Sequence, residues 1–456
     1  MIYNMKDKLN LLKHISHDIR ESGGRIFFVG GYVRDYIMKK EPKDIDTETY
    51  GISLEKLYSI LGKYGKVSQV GKSFGVLILK DVDFALPRKE TKVSKGHKGF
   101  HIDTDPYLSY FQASTRRDFT MNAILMDVIT NEIIDPHNGR AHIKEKIIKH
   151  INPSTFIEDP LRVYRAIQFA SRFNFKIHKD TIDLCKKMDL SSLPSERIYE
   201  EFKKFLLFSD TPSISLKYMK EMNMLKYFPE LKALVNCPQD KIHHPEGDVF
   251  NHTLLVLDKA ASLKEGSSDP LTYMLGALCH DFGKPSTTEM VNGRIISHNH
   301  DREGVIPAST FLPRLTNEKK IIEKVCLLIK NHMKPFQFYQ ARDTISDKAF
   351  RKLSKELFPS GGINELLLLA RADHTCRSTP DKEDEFSHII DFFKNKINNM
   401  NLDKKFIPLV KGQDLINLGL KPSKEFSIIL KRAESFQLEG FSKVEIISKL
   451  KSEFKL

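Results

Sequence analysis

The first 140 residues alternate between helical and extended hydrophobic patterns. Apolar side chains recur at near-helical spacing over residues 5–22, which predicts a helix. Residues 25–29, RIFFV, are a β-forming run that ends at Gly30-Gly31, and a helical stretch, YVRDYIMKK, follows. Further extended segments are predicted around Ile45, over residues 65–80 and over residues 81–86. The pattern therefore predicts a small domain that mixes helices and strands.

Residues 87–110 interrupt this alternation. The segment PRKETKVSKGHKGFHIDTDPYLSY is polar, contains glycine and follows neither a helical nor a strand period. Long stretches without a pattern are uncommon in compact domains and are usually functional loops or linkers. We therefore predict a long flexible loop over residues 87–110.

After residue 143 the apolar spacing is helical. Stripes of 3.6-residue period mark three stretches, EDPLRVYRAIQFASRF, SERIYEEFKKFLLF and SISLKYMKEMNML. A Pro-, Gly- and His-rich break at residues 236–248 precedes a second helical region that is dense in histidine. The Lys-rich remainder is also helical in pattern, and the acidic run at residues 381–386 predicts a solvated linker. We therefore predict four segments, 1–140, 141–235, 236–380 and 381–456.

The composition is that of a globular protein with an excess of positive charge. The 456 residues include 72 Lys and Arg against 59 Asp and Glu, a net charge of +13, and 40% of positions are hydrophobic. This apolar fraction excludes a wholly disordered chain, and no apolar run approaches the ~18 residues that a membrane-spanning helix needs. The charge favours an anionic partner such as nucleic acid, a nucleotide or a membrane surface.

The five cysteines are widely spaced and include no Cys-x-x-Cys pair. An odd number without such pairs indicates neither a disulfide framework nor a thiolate zinc site. The N-terminal sequence MIYNMKDKLNLLKHIS has no apolar core of a secretory signal. We therefore expect a reducing cytoplasm.

The first candidate site combines Gly30-Gly31 with Asp44 and Asp46. Two glycines after a strand let the backbone approach a phosphate closely. Side chains at positions i and i+2 of a strand point to one face, with Cα atoms ~6.6 Å apart, so two carboxylates there can hold divalent ions. Two more Asp-x-Asp pairs occur, of which Asp103/Asp105 falls in the predicted loop and indicates solvated side chains. Asp83, after an apolar run, is an open candidate for a third carboxylate.

The segment Arg116-Arg117-Asp118-Phe119 admits two interpretations. A charged helix start is the simpler interpretation, and from the motif alone it is favoured. The alternative is a clamp on a triphosphate and ribose, because arginine donates two parallel hydrogen bonds to phosphate oxygens.

Asp159 and Arg162 also admit two interpretations. At positions i and i+3 of a helix they predict an intrahelical ion pair. The alternative is base recognition, because an Asp acceptor beside an Arg donor complements an exocyclic amine next to a ring nitrogen. Cytosine and adenine present that edge, whereas uracil and guanine place a carbonyl where the amine should be.

Five motifs occur in one order along the first ~200 residues: GGYVRDYIMKKEPKDIDTETYG, RRDFTMNAI, DPHNG, EDPLRVYRAIQFASRFNF and SERIYEEF. In this order they resemble bacterial class II tRNA nucleotidyltransferases, the CCA-adding enzymes. The resemblance implies an α+β fold with a polymerase-β-like nucleotidyltransferase head at residues 1–140. A helical neck and body with base recognition would follow at residues 141–235. It also makes residues 87–110 the lever that such enzymes use when they change from CTP to ATP.

The resemblance assigns roles to individual residues. Asp44 and Asp46 would be the catalytic carboxylates and would hold Mg²⁺. Asp159 and Arg162, assisted by Arg165, would select CTP and ATP. The remaining nucleotide-binding residues would be Gly30, Gly31 and Arg34 near the triphosphate, with Arg116, Asp118 and Asn122 around the ribose and phosphates.

The histidines of the region 236–380 form the order H…HD…H…H…D, which resembles the HD phosphohydrolase superfamily. Imidazole and carboxylate suit divalent transition metals such as Ni²⁺ or Mn²⁺. The resemblance makes His252, His280, Asp281 and Asp373 the primary metal ligands, with His300 and His332 available for a second metal. Lys284 would contact phosphate, and His243, His244 and His298 are left without a role. Relatives act on 2′,3′-cyclic phosphates and 2′-phosphates, and the segment 381–456 resembles the helical tail of fused HD–CCA enzymes.

The sequence hypothesis is therefore Mg²⁺-dependent addition of C, C and A to tRNA 3′ ends, with a second metal-dependent phosphohydrolase activity. The partners would be tRNA, CTP and ATP, without a membrane, and the chain would be a monomer or homodimer. Three alternatives stay open at this point: a poly(A) polymerase or A-only enzyme of the same fold, a phosphohydrolase whose head only binds RNA, and a non-enzymatic RNA-binding protein.

Overall fold

The computed structural model describes residues 4–42, 44–70, 75–92, 100–377 and 380–455. The chain divides into two compact units, Met1–Phe205 with Ile214–Tyr227, and Leu206–Ser213 with Phe228–Leu456. The α+β class expected from the sequence is confirmed, with strands concentrated in the first unit. Among the described residues, no helix combines the length and the apolar character needed to cross a bilayer.

The head begins with alternating helices and strands. Its elements are α1 (Met5–Glu21), β1 (Arg25–Val29), α2 (Gly31–Ile37), β2 (Asp46–Tyr50), α3 (Leu54–Gly62), β3 (Ser68–Val70), β4 (Val76–Leu79), β5 (Val82–Ala85), β6 (Arg88–Lys92), β7 (Phe100–Thr104), α4 (Tyr110–Ser114), a 3₁₀ turn (Thr120–Asn122), β8 (Leu125–Asp127), β9 (Ile133–Ile134) and α5 (Gly139–Lys144). The predicted first helix and first strand are confirmed.

Within the described residues, seven strands form one sheet in the order β3-β4-β5-β2-β1-β8-β9. β2 is central because it pairs antiparallel with β1 and parallel with β5. Phe27 and Tyr50, from neighbouring strands, pack edge to face with ring centroids 5.6 Å apart in the head core. The sheet thus places the start of β2 beside the end of β1, where the first candidate site lies.

The prediction of a long loop over residues 87–110 is wrong for its described parts. β6 and β7 form an antiparallel ladder from Arg88↔Thr104 to Lys92↔Phe100. Residues 93–99 lie outside the described residues. The strand pattern was missed because β6, RKETK, contains no apolar residue and β7, FHIDT, contains only two, which is too few to establish a strand period. Asp103, predicted in the loop, lies exposed on β7.

The rest of the first unit is mainly helical. It contains β10 (Ile147–Ile148), α6 (Pro153–Phe156), α7 (Leu161–Phe173), β11 (Lys176–Ile177), α8 (Lys179–Lys186), α9 (Ser195–Phe208), α10 (Ser213–Glu221) and a 3₁₀ turn (Met224–Tyr227). The three predicted helical stretches correspond to α7, α9 and α10. The expectation of an all-helical body misses the short parallel pair of β10 and β11.

The second unit is a helical assembly with one hairpin. It contains α11 (Pro229–Leu234), α12 (Val249–Leu263), a 3₁₀ turn (Lys264–Gly266), α13 (Pro270–Cys279), α14 (Lys284–Thr287), β12 (Thr288–Val291), β13 (Arg294–Ser297), α15 (His300–Glu303), α16 (Val305–Phe311), a 3₁₀ turn (Leu312–Arg314), α17 (Lys319–Asn331), α18 (Lys334–Gln340), α19 (Asp347–Leu357), a 3₁₀ turn (Phe358–Ser360), α20 (Gly362–Thr375), α21 (Pro380–Met400), α22 (Gly412–Asn417), α23 (Glu425–Glu439) and α24 (Lys443–Phe454). The β12–β13 hairpin lies in a region where the sequence predicted helices.

The prediction of a linker at residues 381–386 is wrong, although Asp381, Asp384 and Glu385 are exposed as expected. These residues form the first turns of α21, and the Phe386 ring is fully buried. Glu383 accepts hydrogen bonds from Lys259 and Arg371, so part of the acidic run is neutralised by cations of other helices. A run of like charges predicted solvation because the sequence does not show which cations pack against it.

Candidate functional site

The turn between β1 and α2 lies directly against the predicted catalytic carboxylates. Gly30 has φ +66°, a conformation that favours glycine. A Cβ atom at Gly30 would lie 3.5 Å from Arg117 and 3.8 Å from Asp46 Oδ2. These are ordinary van der Waals distances, so it is the positive φ that favours glycine at this turn, which lies beside an arginine and a carboxylate.

Three aspartates lie at the starts of two neighbouring strands. Asp44 is exposed just before β2, Asp46 opens β2, and Asp83 aligns with Asp46 across the parallel β2–β5 pair. Burial, followed by the charges of Asp83 and Asp44, raises the pKa of Asp46, although Arg117 partly opposes this. Carboxylate oxygens are the donors that Mg²⁺ prefers, and a bound cation would relieve the repulsion between Asp46 and its acidic neighbours. The residue types therefore suit a hard divalent cation, although among the described residues Asp44, Asp46 and Asp83 do not form a group with the dimensions of a metal site.

A chain of hydrogen bonds joins the predicted ribose and phosphate residues. Arg34 donates to Asn122 Oδ1 at 2.9 Å, Asn122 donates to Asp118 Oδ1 at 3.0 Å, and Arg165 donates to Asp118 Oδ2 at 2.7 Å. Burial alone would raise the pKa of Asp118, but the ion pair with Arg165 and the bond from Asn122 outweigh it and hold the pKa below its usual range. Asp118 therefore stays ionised and fixes the two arginines.

The DPHNG motif holds this chain of bonds in place. The Asp135 carboxylate accepts from the backbone nitrogens of Gly139 and Arg140 at 2.7 and 2.8 Å. A Cβ at Gly139 would approach the Thr120 carbonyl oxygen to 2.3 Å, which no side chain tolerates. Glycine is therefore required for α5 to pack against the turn that carries Asn122.

Glu48 was missed in the sequence and supports both arginines of the RRDF motif. Its side chain is buried on β2, two residues after Asp46 and on the same face. Arg116 and Arg117 lie 3.4 and 3.6 Å from its carboxylate, and the Tyr50 hydroxyl donates to it at 2.9 Å. The i, i+2 spacing from Asp46 was the signal that could have indicated this carboxylate.

Asp159 pairs with Arg197 rather than with Arg162. Helix α7 begins at Leu161, so Asp159 precedes it, and the predicted intrahelical ion pair is wrong. Both carboxylate oxygens of Asp159 accept from the Arg197 guanidinium, at 3.4 and 3.1 Å. Arg162 instead donates to the carbonyls of Thr155 at 2.7 Å and Arg116 at 2.6 Å. Arg197, on α9 in the SERIYEEF motif, is a site residue that the sequence did not single out.

These side chains line one cavity of about 440 Å³ in the first unit. All the predicted nucleotide-binding residues lie on its wall, together with Asp46, Arg117 and Arg197, whereas Asp44 is not among the lining residues. The wall carries Arg34, Arg116, Arg117, Arg162, Arg165 and Arg197 against the carboxylates Asp46, Asp118 and Asp159. Six arginines thus outnumber the three carboxylates of the wall, although Glu48, Asp118 and Asp159 pair with four of them and Asp35 pairs with Arg34.

In the second unit, the predicted histidine ligands are oriented alike. The Nδ1 atoms of His280, His300 and His332 donate to the backbone carbonyls of Ala277, Ser297 and Ile329 at 2.7–2.8 Å. His252 Nδ1 lies 2.9 Å from a carboxylate oxygen of Glu246. With Nδ1 occupied, each ring offers Nε2, which is how second-shell bonds orient metal-binding histidines.

The Nε2 atoms converge on Asp281. His280, His300 and His252 approach its carboxylate to 3.2, 3.6 and 3.7 Å. Asp373 Oδ1 lies 2.8 Å from His252 Nε2, and His300 Nε2 lies 3.2 Å from His332 Nε2. Two groups, His252–His280–Asp281 and Asp281–His300–His332, therefore share Asp281, and each has the dimensions of a metal site.

The chemistry of these donors fits a transition metal. His280 Nε2 is buried and has no hydrogen-bond partner among the described residues. Burial, then the charges of His300 and His280, lowers the pKa of His332 to about 4, so its imidazole is neutral as a ligand must be. A cation at the convergence point would satisfy the orphaned nitrogen and the crowded carboxylates together.

Gly283 allows this convergence. A Cβ atom there would meet the His300 carbonyl oxygen at 2.1 Å, so only glycine lets the His280-Asp281 segment lie against α15. The adjoining cavity of about 260 Å³ is lined by Asp281, His300, Lys284 and Asp373, and also by His243 and His244. Lys284 Nζ lies 2.8 Å from Asp281 and donates to Gln239 at 2.8 Å. His298 is exposed and is not part of the lining.

Three family models match along the chain: the Poly A polymerase head domain over residues 26–149, the probable RNA and SrmB-binding site of polymerase A over residues 174–234, and the HD domain over residues 249–378. Curated relatives carry the name multifunctional CCA protein. That of Actinobacillus pleuropneumoniae is 34% identical over 341 residues, which is 72% of this chain and 80% of the relative. That of Pasteurella multocida is 33% identical over 367 residues, covering 78% and 84%.

The chain belongs to the multifunctional CCA protein family. Solved structures share its fold at lower identity. The Thermotoga maritima CCA-adding enzyme, solved with tRNA, aligns with a TM-score of 0.59 at 18% identity and covers 99% of this chain and 97% of its own. The Bacillus stearothermophilus CCA-adding enzyme, solved with CTP, aligns with a TM-score of 0.59 at 18% identity over 99% and 100%. Membership of the multifunctional CCA family confirms the resemblance seen in the motifs.

Proposed function

We propose that this chain adds C, C and A to tRNA 3′ ends from CTP and ATP without a nucleic-acid template. The observation that carries the proposal is the single arginine-rich cavity in which every nucleotide-binding residue expected from the motifs lies beside Asp46. Membership of the family supports it. The excess of 72 Lys and Arg over 59 Asp and Glu supports phosphate contacts to the tRNA.

Base selection would rest on Asp159 and Arg162. Arg197 fixes the Asp159 carboxylate, and two backbone carbonyls fix the Arg162 guanidinium, so the acceptor and the donor are held before the base arrives. Preorganised groups discriminate strongly because a mismatched partner leaves them unpaired. Cytosine and adenine satisfy an acceptor and a donor side by side, so Asp159 and Arg162 would select them, assisted by Arg165.

The transfer step would occur beside Asp44 and Asp46, with Asp83 as a further carboxylate. The tRNA 3′ oxygen forms a bond to the α-phosphorus, the bond from that phosphorus to the bridging oxygen breaks, and pyrophosphate leaves. The hydroxyl proton would pass to a carboxylate oxygen near Asp44 and Asp46 as the new bond forms. Mg²⁺ bound by these carboxylates would supply charge neutralisation at the phosphates. Arg34, Arg116 and Arg117 would hold the triphosphate.

The second unit would hydrolyse phosphoesters. His252, His280, Asp281 and Asp373 would hold one transition-metal ion such as Ni²⁺ or Mn²⁺, and His300 and His332 with Asp281 a second. Such an ion would lower the pKa of water enough to make it a nucleophile at neutral pH. Lys284, at the cavity wall, would contact the phosphate. Cyclic 2′,3′-phosphates and 2′-phosphates at tRNA ends are the proposed substrates, a choice that rests on the HD resemblance.

The whole chain would have four parts and would work in a reducing compartment. The segments 1–140, 141–235, 236–380 and 381–456 would be head, neck and body, HD domain and tail. All five cysteines are free thiols, which supports a reducing cytoplasm. A monomer or homodimer would carry both sites.

The test is incorporation into two RNAs, a tRNA that lacks its terminal CCA and an unstructured RNA of the same length. With CTP and ATP, the account predicts three nucleotides on the tRNA and none on the other RNA. Long ATP-only extension of both RNAs would instead establish a poly(A) polymerase, and no incorporation would favour a phosphohydrolase whose head only binds RNA. Asp44→Ala should abolish incorporation.

A further inference from the structure

Glu246 occupies a place that none of the motif assignments explains. It lies before α12 in the sequence HHPEGD, and its side chain is 7% exposed. One carboxylate oxygen accepts from His252 Nδ1 at 2.9 Å and from His244 Nδ1 at 3.0 Å. The other oxygen faces Arg377 at 3.5 Å. A single buried carboxylate thus accepts from two imidazoles, while its second oxygen forms an ion pair with Arg377 but no hydrogen bond with the described residues.

His252 differs from His280, His300 and His332 in the group that accepts a hydrogen bond from its Nδ1 atom. Their Nδ1 atoms donate to backbone carbonyls, whereas that of His252 donates to a side chain. The opposite nitrogen of His252 points at Asp373 and Asp281. His252 Nδ1 has two side-chain partners, Glu246 at 2.9 Å and Cys376 Sγ at 3.9 Å, and the shorter bond to Glu246 constrains the direction of Nε2 more strongly.

His244 is held by the same oxygen and reaches the substrate side. Its ring lies edge-on to that of His252, with centroids 4.9 Å apart and an interplanar angle of 83°. His244 lines the cavity beside Lys284, where a phosphoester would bind. With Nδ1 donating to Glu246, Nε2 carries a lone pair and can accept a hydrogen bond from a hydroxyl group.

We propose that Glu246 is the positioning residue of the second site, which fixes His252 toward the metal and His244 toward a hydroxyl of the phosphoester substrate. The proposal rests on the metal-dependent phosphohydrolase activity proposed above. It adds a substrate-facing histidine and a carboxylate that joins this histidine to the metal-binding cluster. Second-shell partners of metal-binding histidines commonly contribute about 10- to 100-fold in metal affinity.

The test is Mn²⁺ binding to the full-length chain, measured by competition with a chelator. An Asp46→Ala background prevents the head carboxylates from contributing. We expect Glu246→Ala to weaken Mn²⁺ binding at least about tenfold, and Glu246→Gln to weaken it less because the amide oxygen still accepts one Nδ1–H bond. His388→Asn, an exposed histidine on α21, is the matched control and should bind Mn²⁺ as the parent does.

His244 is tested by hydrolysis of a nucleoside 2′-monophosphate, whose free 3′-hydroxyl lies beside the phosphate. His244→Asn should leave Mn²⁺ affinity within about twofold and raise KM at least about tenfold. If His244 had a purely structural role, the substitution would change both quantities together or leave both unchanged. Glu246→Ala that binds Mn²⁺ like the parent overturns the positioning role. A parent chain that binds no Mn²⁺, indistinguishable from His280→Ala, overturns the proposed metal site itself. Helical circular dichroism and a thermal unfolding midpoint like those of the parent confirm that Glu246→Ala is folded.

Discussion

Asp118 and Arg165 form an ion pair in which Nε and a terminal nitrogen of the guanidinium lie 2.7 and 2.6 Å from one carboxylate oxygen. The other oxygen accepts from Asn122, which in turn accepts from Arg34. The pair therefore joins the body helix α7 to the head turn Thr120–Asn122 within the first unit. A change at Asp118 should disturb both the stability of this unit and the geometry of its cavity.

Asp118→Asn should lower the free energy of unfolding by about 1–3 kcal/mol, because Arg165 loses its ionic partner in a mostly buried place. The folded-state pKa of Asp118 lies below its unfolded value of about 3.9, so the pair contributes stability above that value. This contribution disappears as the pH falls through the folded pKa. Urea unfolding at pH 7 and near pH 3 checks this, since the difference between parent and variant should shrink at the lower pH. An equal difference at both pH values would contradict the assignment.

Arg197→Ala should reduce base discrimination more than base binding. Without its partner, Asp159 can rotate away from the edge that it reads, and displacements of about 1 Å commonly lower rates ~100-fold. We expect kcat/KM for CTP to fall about 10- to 100-fold, with a relative gain in UTP incorporation. Lys203→Ala, on the same helix α9 but outside the cavity lining, should behave as the parent. Unchanged discrimination in Arg197→Ala would place base selection elsewhere.

Glu48→Gln should weaken triphosphate binding although Glu48 itself does not line the cavity. The substitution removes the charge that Arg116 and Arg117 face, while the amide still accepts from Tyr50. We expect a KM increase of about tenfold for CTP and ATP alike and a loss of about 1–3 kcal/mol in unfolding free energy. A KM effect confined to one nucleotide would contradict a role in holding the phosphates.

The two sites should fail independently. His280→Ala should abolish phosphoester hydrolysis because it removes a buried nitrogen that points at the metal-binding cluster, and it should leave nucleotide addition intact. Asp46→Ala should do the reverse, because its carboxylate belongs to the cavity of the first unit. Both activities are measured on one preparation of each variant. Simultaneous loss in a folded variant would mean that the chain has one functional centre.

Much of the site was predictable because its residues lie in short motifs. Gly30, Asp46, Asp118 and Arg162 could each be named from adjacent residues, and the structure brings them to one cavity. Arg197 was missed because its importance comes from an ion pair with a residue distant along the chain. Glu246 was missed because the sequence does not show that two histidines donate to the same carboxylate oxygen. Their partners are Asp159, 38 residues away from Arg197, and two histidines that share one oxygen of Glu246.

Secondary structure was predicted correctly where apolar residues recur at regular spacing. It was missed where the sequence has no such spacing. Helices α1, α7 and α9 present clear apolar faces and were expected. The hairpin β6–β7 was predicted as a loop because its ladder is held by backbone bonds between mainly polar residues. The acidic start of α21 was not predicted as helix for a related reason. Lys259 and Arg371, which pair with Glu383 there, cannot be identified from the neighbouring residues in the sequence.

The most direct test of the central proposal is the sequence of the nucleotides that the chain adds to a tRNA lacking its CCA end. All four nucleoside triphosphates are supplied with Mg²⁺ and no nucleic-acid template, and the 3′ ends are sequenced. We expect C, C and A to be added in that order and nothing after them, and we expect no uridine or guanosine because Asp159 and Arg162 complement only the edges of cytosine and adenine. Ends extended with adenosine alone, or containing uridine or guanosine, would contradict it.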